Sequence, residues 1–250
     1  MKLTGNTVFI TGGGSGIGRG LAEALHGLGN KVIISGRRQG HLAATIKANS
    51  GMQSVELDVT DPASMAAVAK KLIADFPELN VLINNAGIMQ IDDAAGVVDE
   101  AVLVPIVTTN LLGPIRMTSA LIEHLKKQPS ATVINVSSGL AFTPLAVTAV
   151  YCATKAAIHS YTLSQRYQLK GSSVTVLELV PPWVQTELLG GKSDPRAMPL
   201  KKFIDEAMTV LATDAGEILV EGVKVLRYNV WPNEGAFVTQ FNDRLAQSLH

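Results

Sequence analysis

Tyr151 and Lys155 stand four positions apart in "YCATKAA". On a helix that spacing puts both side chains on one face. A free tyrosine titrates near ~10, too high for a base at neutral pH. A cation about 4 Å away is worth ~4 kcal/mol at an effective dielectric of ~20. That equals about three pKa units, enough to make Tyr151 a usable acid or base. The same spacing occurs by chance on many exposed helix faces, so the pair needs company. Cys152 lies beside it as a second nucleophile candidate, but no histidine or other activator adjoins it in sequence.

A second chemical signal is "TGGGSGIGRG" at 11–20. It follows the apolar run "TVFIT" and opens an amphipathic segment, so it reads as a strand-to-helix loop. Helix N-termini expose unpaired N–H groups and favour anions, and glycine lets the backbone approach a pyrophosphate. The dinucleotide pattern G-x-G-x-x-G fits in no register, because Ser15, Ile17, Arg19 or Leu21 stands where a glycine is required. An ordinary glycine-rich loop is the alternative.

These residues need a scaffold, and the chain supplies alternating segments. Apolar runs at 7–11, 31–35, 54–59, 81–87, 132–138 and 173–182 read as strands, with "EILV" at 217–220 as a further candidate. Between them lie helical segments, among them "DPASMAAVAKKLIADF" with Asp61 as N-cap, a long one over 100–127 and "YCATKAAIHSYTLSQRYQLK". Wholly apolar strands in βαβ order predict one α/β domain over 1–250. Its form is a Rossmann-type doubly wound parallel sheet of six to seven strands with helices on both faces. Residues 187–203, rich in Gly and Pro, predict a mobile substrate lid, and 204–250 a C-terminal helix and tail.

Composition narrows the partners. Hydrophobic residues make up 47% of the 250 and charged residues 17%, which suits a large core and argues against disorder. The formal net charge is +0 and no basic run tracks phosphates, so nucleic acid is a poor partner. One cysteine excludes an intramolecular disulfide, and histidines at 26, 41, 124, 159 and 250 show no metal-site spacing. No apolar stretch reads as a secretory signal or bilayer span. The expectation is a soluble cytoplasmic protein with no metal and no membrane partner.

The ordered motifs resemble the short-chain dehydrogenase/reductase family over roughly 5–190. Thr11, Gly12, Gly16 and Gly18 fit T-G-x-x-x-G-x-G, "NNAG" follows the fourth strand, and Asn110 lies in "TTNLLGP". Ser138 ends the fifth strand, Tyr151 and Lys155 form Y-x-x-x-K, and "PPWVQTE" follows the sixth. The resemblance implies that Tyr151 passes a proton to the substrate oxygen and that Ser138 orients the carbonyl. Lys155 holds the nicotinamide ribose, and Asn110 anchors a relay water. It also implies a dinucleotide held by Thr11, Gly12, Ser15, Gly16, Ile17 and Gly18, with Asp58 and Val59 at the adenine. Asn85, Ala86 and Gly87 would line the groove, and Pro181, Val184 and Thr186 the nicotinamide end. Pro182 replaces the glycine usual after the sixth strand, which predicts a stiffer wall. Members of the family are usually dimers or tetramers, so a homo-oligomer is expected.

The cofactor can be narrowed. Sites for NAD usually carry an acid near the end of the second strand. Here "IISGRR" puts Gly36 there, followed by Arg37 and Arg38, and a guanidinium suits a 2′-phosphate. NADP(H) is therefore expected over NAD(H), with Arg37 as the main contact and Ser15 or Arg38 assisting. Leu140, Phe142, Leu145, Trp183, Leu188 and Met198 are the apolar candidates for the substrate pocket, and no cation cluster awaits an anionic substrate. The expected activity is NADPH-dependent reduction of a neutral, fairly apolar ketone or aldehyde. The alternatives are a dehydratase or epimerase on the same scaffold, or a non-catalytic NADP(H) sensor.

Overall fold

The computed structural model describes residues 1–97, 99–228 and 233–247. Seven parallel strands form one sheet in the order β3-β2-β1-β4-β5-β6-β7. They are β1 (Thr7–Thr11), β2 (Lys31–Gly36), β3 (Gln53–Glu56), β4 (Leu79–Asn84), β5 (Ala131–Val136), β6 (Val174–Val180) and β7 (Glu217–Leu219). The inner strands are mostly apolar because both faces are covered, and alternate residues serve opposite layers, whereas edge strand β3 (Gln-Ser-Val-Glu) is largely exposed. Val8 and Ile10 pack with Leu21 and Leu25 of α1 (Gly16–Gly27). Phe9, between them, packs with Met65 and Leu72 of α3 (Pro62–Asp75). The first layer is completed by α2 (Gln39–Ala48) and by α7 (Leu200–Leu211) with its buried Phe203.

The segment over 100–127 is one helical rod with a fault in it. α4 (Glu100–Val107) and α5 (Gly113–Leu125) are joined by a π-helical turn at Thr108–Leu112. Contrary to expectation, its 26 residues have the length and apolar composition of a bilayer span. Ile106, Met117, Leu121 and Leu125 are fully buried inside the protein, as in a core helix. α6 (Ala149–Gln168) carries Tyr151 and Lys155.

The C-terminal third departs from the expectation in two ways. The expected lid is shorter than 187–203: Leu188–Ser193 forms tight 3-10 turns, but residues from Leu200 onward belong to α7. Beyond it lie β7, α8 (Lys224–Tyr228) and α9 (Glu234–Gln247) rather than one helix and a tail. Parts of that expected tail, 229–232 and 248–250, lie outside the described residues.

Candidate active site

The carboxyl ends of the strands border a cleft of ≈1640 Å³ at the point where strand order reverses between β1 and β4. Open parallel sheets bind ligands there. Two loops are tied together at its floor. Thr11 Oγ1 accepts from the backbone N–H of Asn85 and of Ala86, at 3.0 and 3.1 Å. Asn85 Nδ2 returns bonds to the carbonyls of Thr11 and Gly12. This close approach is what the glycines serve. Gly12 has φ +68°, and a Cβ there would lie 2.9 Å from Ala86 Cα; at Gly18 it would lie 2.4 Å from the Gly12 carbonyl oxygen. Ser15 caps α1 without a side-chain bond to it, leaving first-turn N–H groups open as anion donors.

Gly12, Ser15, Gly16 and Ile17 line the cleft, as do Arg37, Arg38, Asp58, Val59, Asn85, Ala86, Gly87, Pro181, Val184 and Thr186. Thr11 and Gly18 stand behind this surface as its supports. Asp58 and Val59 lie past the end of β3 rather than in it. Burial pushes the Asp58 carboxyl up, but bonds from Thr60 and the Arg37 cation outweigh it and hold the group low. Arg38, more than Arg37, is held in place: it donates to Ser15 Oγ at 2.8 Å and to Glu187 at 3.0 Å. A cation, a hydroxyl and an open helix N-terminus thus converge on one corner, which suits a phosphate ester beside a pyrophosphate cradle.

At the other end Ser138, Tyr151 and Lys155 meet. Ser138 acts on the Tyr151 hydroxyl to lower its pKa, and its Oγ accepts from Leu140 N–H at 3.1 Å. Lys155 Nζ donates to the Val136 carbonyl at 2.8 Å and lies 5.6 Å from the centroid of the Tyr151 ring. The expected lowering of Tyr151 by Lys155 is not what this geometry gives. Burial pushes the tyrosine up to about 12, with Ser138 opposing. The ammonium lies beside the ring and is anchored to a carbonyl, and burial lowers it to about 8. Burial likewise raises the Cys152 thiol, which makes it a poor nucleophile.

Asn110 occupies the π-turn. Its Oδ1 accepts from Ile88 N–H at 2.9 Å and its Nδ2 donates to the Ile88 carbonyl at 2.8 Å. An asparagine that competes with helical bonding is accommodated where the helix is already unwound. A Cβ on Gly87 would lie 3.4 Å from Asn110 Oδ1 and 3.7 Å from Lys155 Nζ, so Gly87 bridges the two.

Leu140, Leu145, Trp183 and Leu188 line the cleft, joined by Leu226, Phe241 and Leu245. Phe142 and Met198 do not. Phe142 turns into the core, where it meets His159 edge-on at 4.6 Å and Arg227 at 4.5 Å. Met198 exchanges backbone bonds with Trp183 and Gln185 and packs against the core. Pro182 lines the cleft, and Trp183 beside it lies under the Arg196 guanidinium at 5.3 Å.

Two contributors escaped the sequence reading. Asp92 bonds the N–H groups of Ala149 and Val150 at 3.0 and 2.9 Å and so caps the catalytic helix. Glu187 fixes Arg38 from the start of the lid. Both are loop carboxylates that act across long sequence separations.

The comparisons with known proteins agree with this geometry. The chain is 40% identical over 233 residues, 91% of it and 92% of the relative, to the uncharacterized oxidoreductase DltE of Bacillus subtilis. A short chain dehydrogenase from Burkholderia cenocepacia, solved with NADP, superposes with a TM-score of 0.85 at 25% identity, covering 96% of this chain and 98% of that one. The 3-ketoacyl-(acyl-carrier-protein) reductase of Brucella melitensis, solved with NADH, superposes at 0.80 with 27% identity, covering 89% and 99%. The family model described as short chain dehydrogenase matches residues 6–197, and with Ser138, Tyr151 and Lys155 gathered beside a dinucleotide cradle, the chain belongs to the short-chain dehydrogenase family of oxidoreductases.

Proposed function

We propose that the protein reduces a neutral, fairly apolar ketone or aldehyde with NADPH and oxidises the corresponding secondary alcohol in reverse. The observation that supports this most directly is the convergence of Ser138, Tyr151 and Lys155 in a cleft whose far corner carries Arg38 and Ser15. When bound, the cofactor supplies a hydride at its nicotinamide. The open first turn of α1 holds the pyrophosphate, and Arg38, Ser15 and Arg37 hold the 2′-phosphate. Asn85, Ala86, Gly87 and Thr186 line the groove between the two ends.

The remaining steps belong to the chain. Ser138 Oγ donates to the carbonyl oxygen and orients it. Tyr151, a neutral phenol with a pKa near about 12, gives its proton to the developing alkoxide. Lys155 is protonated at neutral pH and stabilises the phenolate that Tyr151 becomes. Asn110, clamped on Ile88, anchors a water that returns the proton through Lys155. Leu140, Leu145, Trp183, Leu188, Leu226, Phe241 and Leu245 make the substrate end apolar and support a substrate without charge.

The test is NADPH consumption over a panel of aryl ketones, diketones, aliphatic aldehydes and steroids, repeated with NADH, with Tyr151→Phe and with Arg38→Gln. We expect turnover that falls at least about 100-fold in Tyr151→Phe, the scale of a lost general acid. Arg38→Gln should weaken NADPH and leave NADH unchanged. Equal use of NADH by the unaltered protein overturns the cofactor assignment. Substrate loss without NADPH consumption identifies a dehydratase or epimerase. Tight NADPH binding with no turnover of any carbonyl identifies a sensor.

A further inference from the structure

Four strands present a polar row to the helix layer that bears the catalytic residues. Register pairs Asn84 with Asn135, Asn135 with Glu178 and Glu178 with Glu217, so all four share one face. Asn84 Nδ2 donates to Asn135 and Thr118, and Asn135 Nδ2 to Thr162 and Gln165, while Asn84 Oδ1 has no partner. Glu178 differs in being a carboxylate. It is wholly buried, its Oε2 lies 2.8 Å from His159 Nδ1, and its Oε1 has no hydrogen-bond partner. A buried carboxylate with a vacant acceptor is a liability to folding unless it serves something else.

Its surroundings indicate what it serves. His159 lies one turn beyond Lys155 on α6, so the two share a helix face. Lys155 is anchored on Val136, next to the Asn135 that pairs with Glu178. The other charges around Glu178 are Glu217 on β7 and Arg227 on α8, with Arg166 of α6 bonded to the carbonyls of Val176 and Gly216. The ligand atoms of His159, Glu178 and Glu217 lie within 4.8 Å of one another, as a cation site would require. However, both Glu217 oxygens already accept from Arg227, at 2.8 and 3.0 Å, so a cation is in place there.

We propose that Glu178, held by His159, is a positioning residue whose fixed negative charge keeps the buried Lys155 in its ammonium form. This rests on the reading of Tyr151 and Lys155 as the proton-handling pair. Burial drives Lys155 down, and Glu178 is the charge that opposes it. Without that charge burial alone acts on the lysine, so its ammonium form loses ground and stabilises a Tyr151 phenolate less.

The test is an NMR pH titration of protein labelled with ¹³C at lysine Cε, with the Lys155 signal assigned by its loss in Lys155→Met. The native protein should show a midpoint near about 8. Glu178→Gln should lower it by about half a unit or more, and Glu178→Asp should restore most of the shift. A midpoint unchanged in Glu178→Gln, with only stability reduced, overturns the proposal. Should Glu178→Gln fail to fold, the ¹³Cδ signal of Glu178 in the native protein decides. A carboxylate ionised from pH 6 upward supports the proposal, and one still protonated at pH 8 overturns it. No carbonyl compound is present, so a failure of the reductase reading would not be mistaken for a failure here.

Discussion

A lysine ammonium taken wholly out of water loses its hydration, and at Lys155 that loss lowers the group to about 8 from 10.5. Between those values the unfolded chain binds the proton and the folded chain does not. Stability therefore rises with pH across that window, and below it the full penalty of the buried charge is present. The difference of about 2.5 units corresponds to on the order of 3 kcal/mol. Tyr151 has the opposite sign. Its folded value of about 12 lies above 10, so its contribution is complete below pH 10 and lost through 12. We expect Lys155→Met to be more stable than the native protein at pH 7, by up to that order, and to lose most of the advantage by pH 10. Urea unfolding at both pH values checks this, and an advantage that does not change with pH would refute it. A residue kept against folding is one retained for chemistry.

At the scale of elements, the catalytic helix depends on a residue outside it. Asp92 satisfies two first-turn N–H groups of α6, and its own N–H donates to the Val147 carbonyl, so the loop after β4 is sewn to the start of the helix. We expect Asp92→Ala to cost about 0.5–2 kcal/mol of stability, the usual range for a lost cap. Because Tyr151 lies in that first turn, kcat should fall while the NADPH Kd stays within about twofold. An equal loss of cofactor affinity would refute the positioning role. This cap was not legible in the sequence, because it joins residues 57 positions apart; the Arg38–Glu187 pair spans 149. The strands and the Tyr151–Lys155 pair were legible because their signals are local: apolar runs of strand length and a spacing of four. The π-turn at Asn110 left one local trace, an asparagine inside an apolar helix. Phe142 and Met198 were misassigned because apolarity alone does not say which of two apolar environments, pocket or core, a side chain enters. Glu178 stood in plain view as the lone carboxylate in "VTVLELV", where it read as part of a strand.

Over the whole molecule the sheet divides the work. β1 to β3 and α1 carry the dinucleotide cradle, and the segments after β5, β6 and β7 carry the substrate end. α9 closes that end from outside the sheet. Asn242 accepts from the Ala146 N–H at 2.6 Å and donates to the Pro144 carbonyl at 3.0 Å, which docks the helix on the loop before α6. Phe241 and Leu245 then face the cleft beside Leu226. Ser15 and Arg38 are held instead by each other and by Glu187, so the two functions should separate. Each large apolar side chain that covers a substrate contributes about 1.5–3 kcal/mol when fully buried, and these contacts are partial. We therefore expect removal of residues 234–250 to raise KM for an apolar ketone about tenfold or more. The NADPH Kd should stay within about twofold, since the cradle's supports at Thr11, Asn85 and Arg38 remain. Isothermal titration with NADP⁺ and steady-state kinetics read the two quantities independently. A truncated protein that loses cofactor and substrate affinity together would mean that α9 stabilises the whole cleft rather than roofing one end of it.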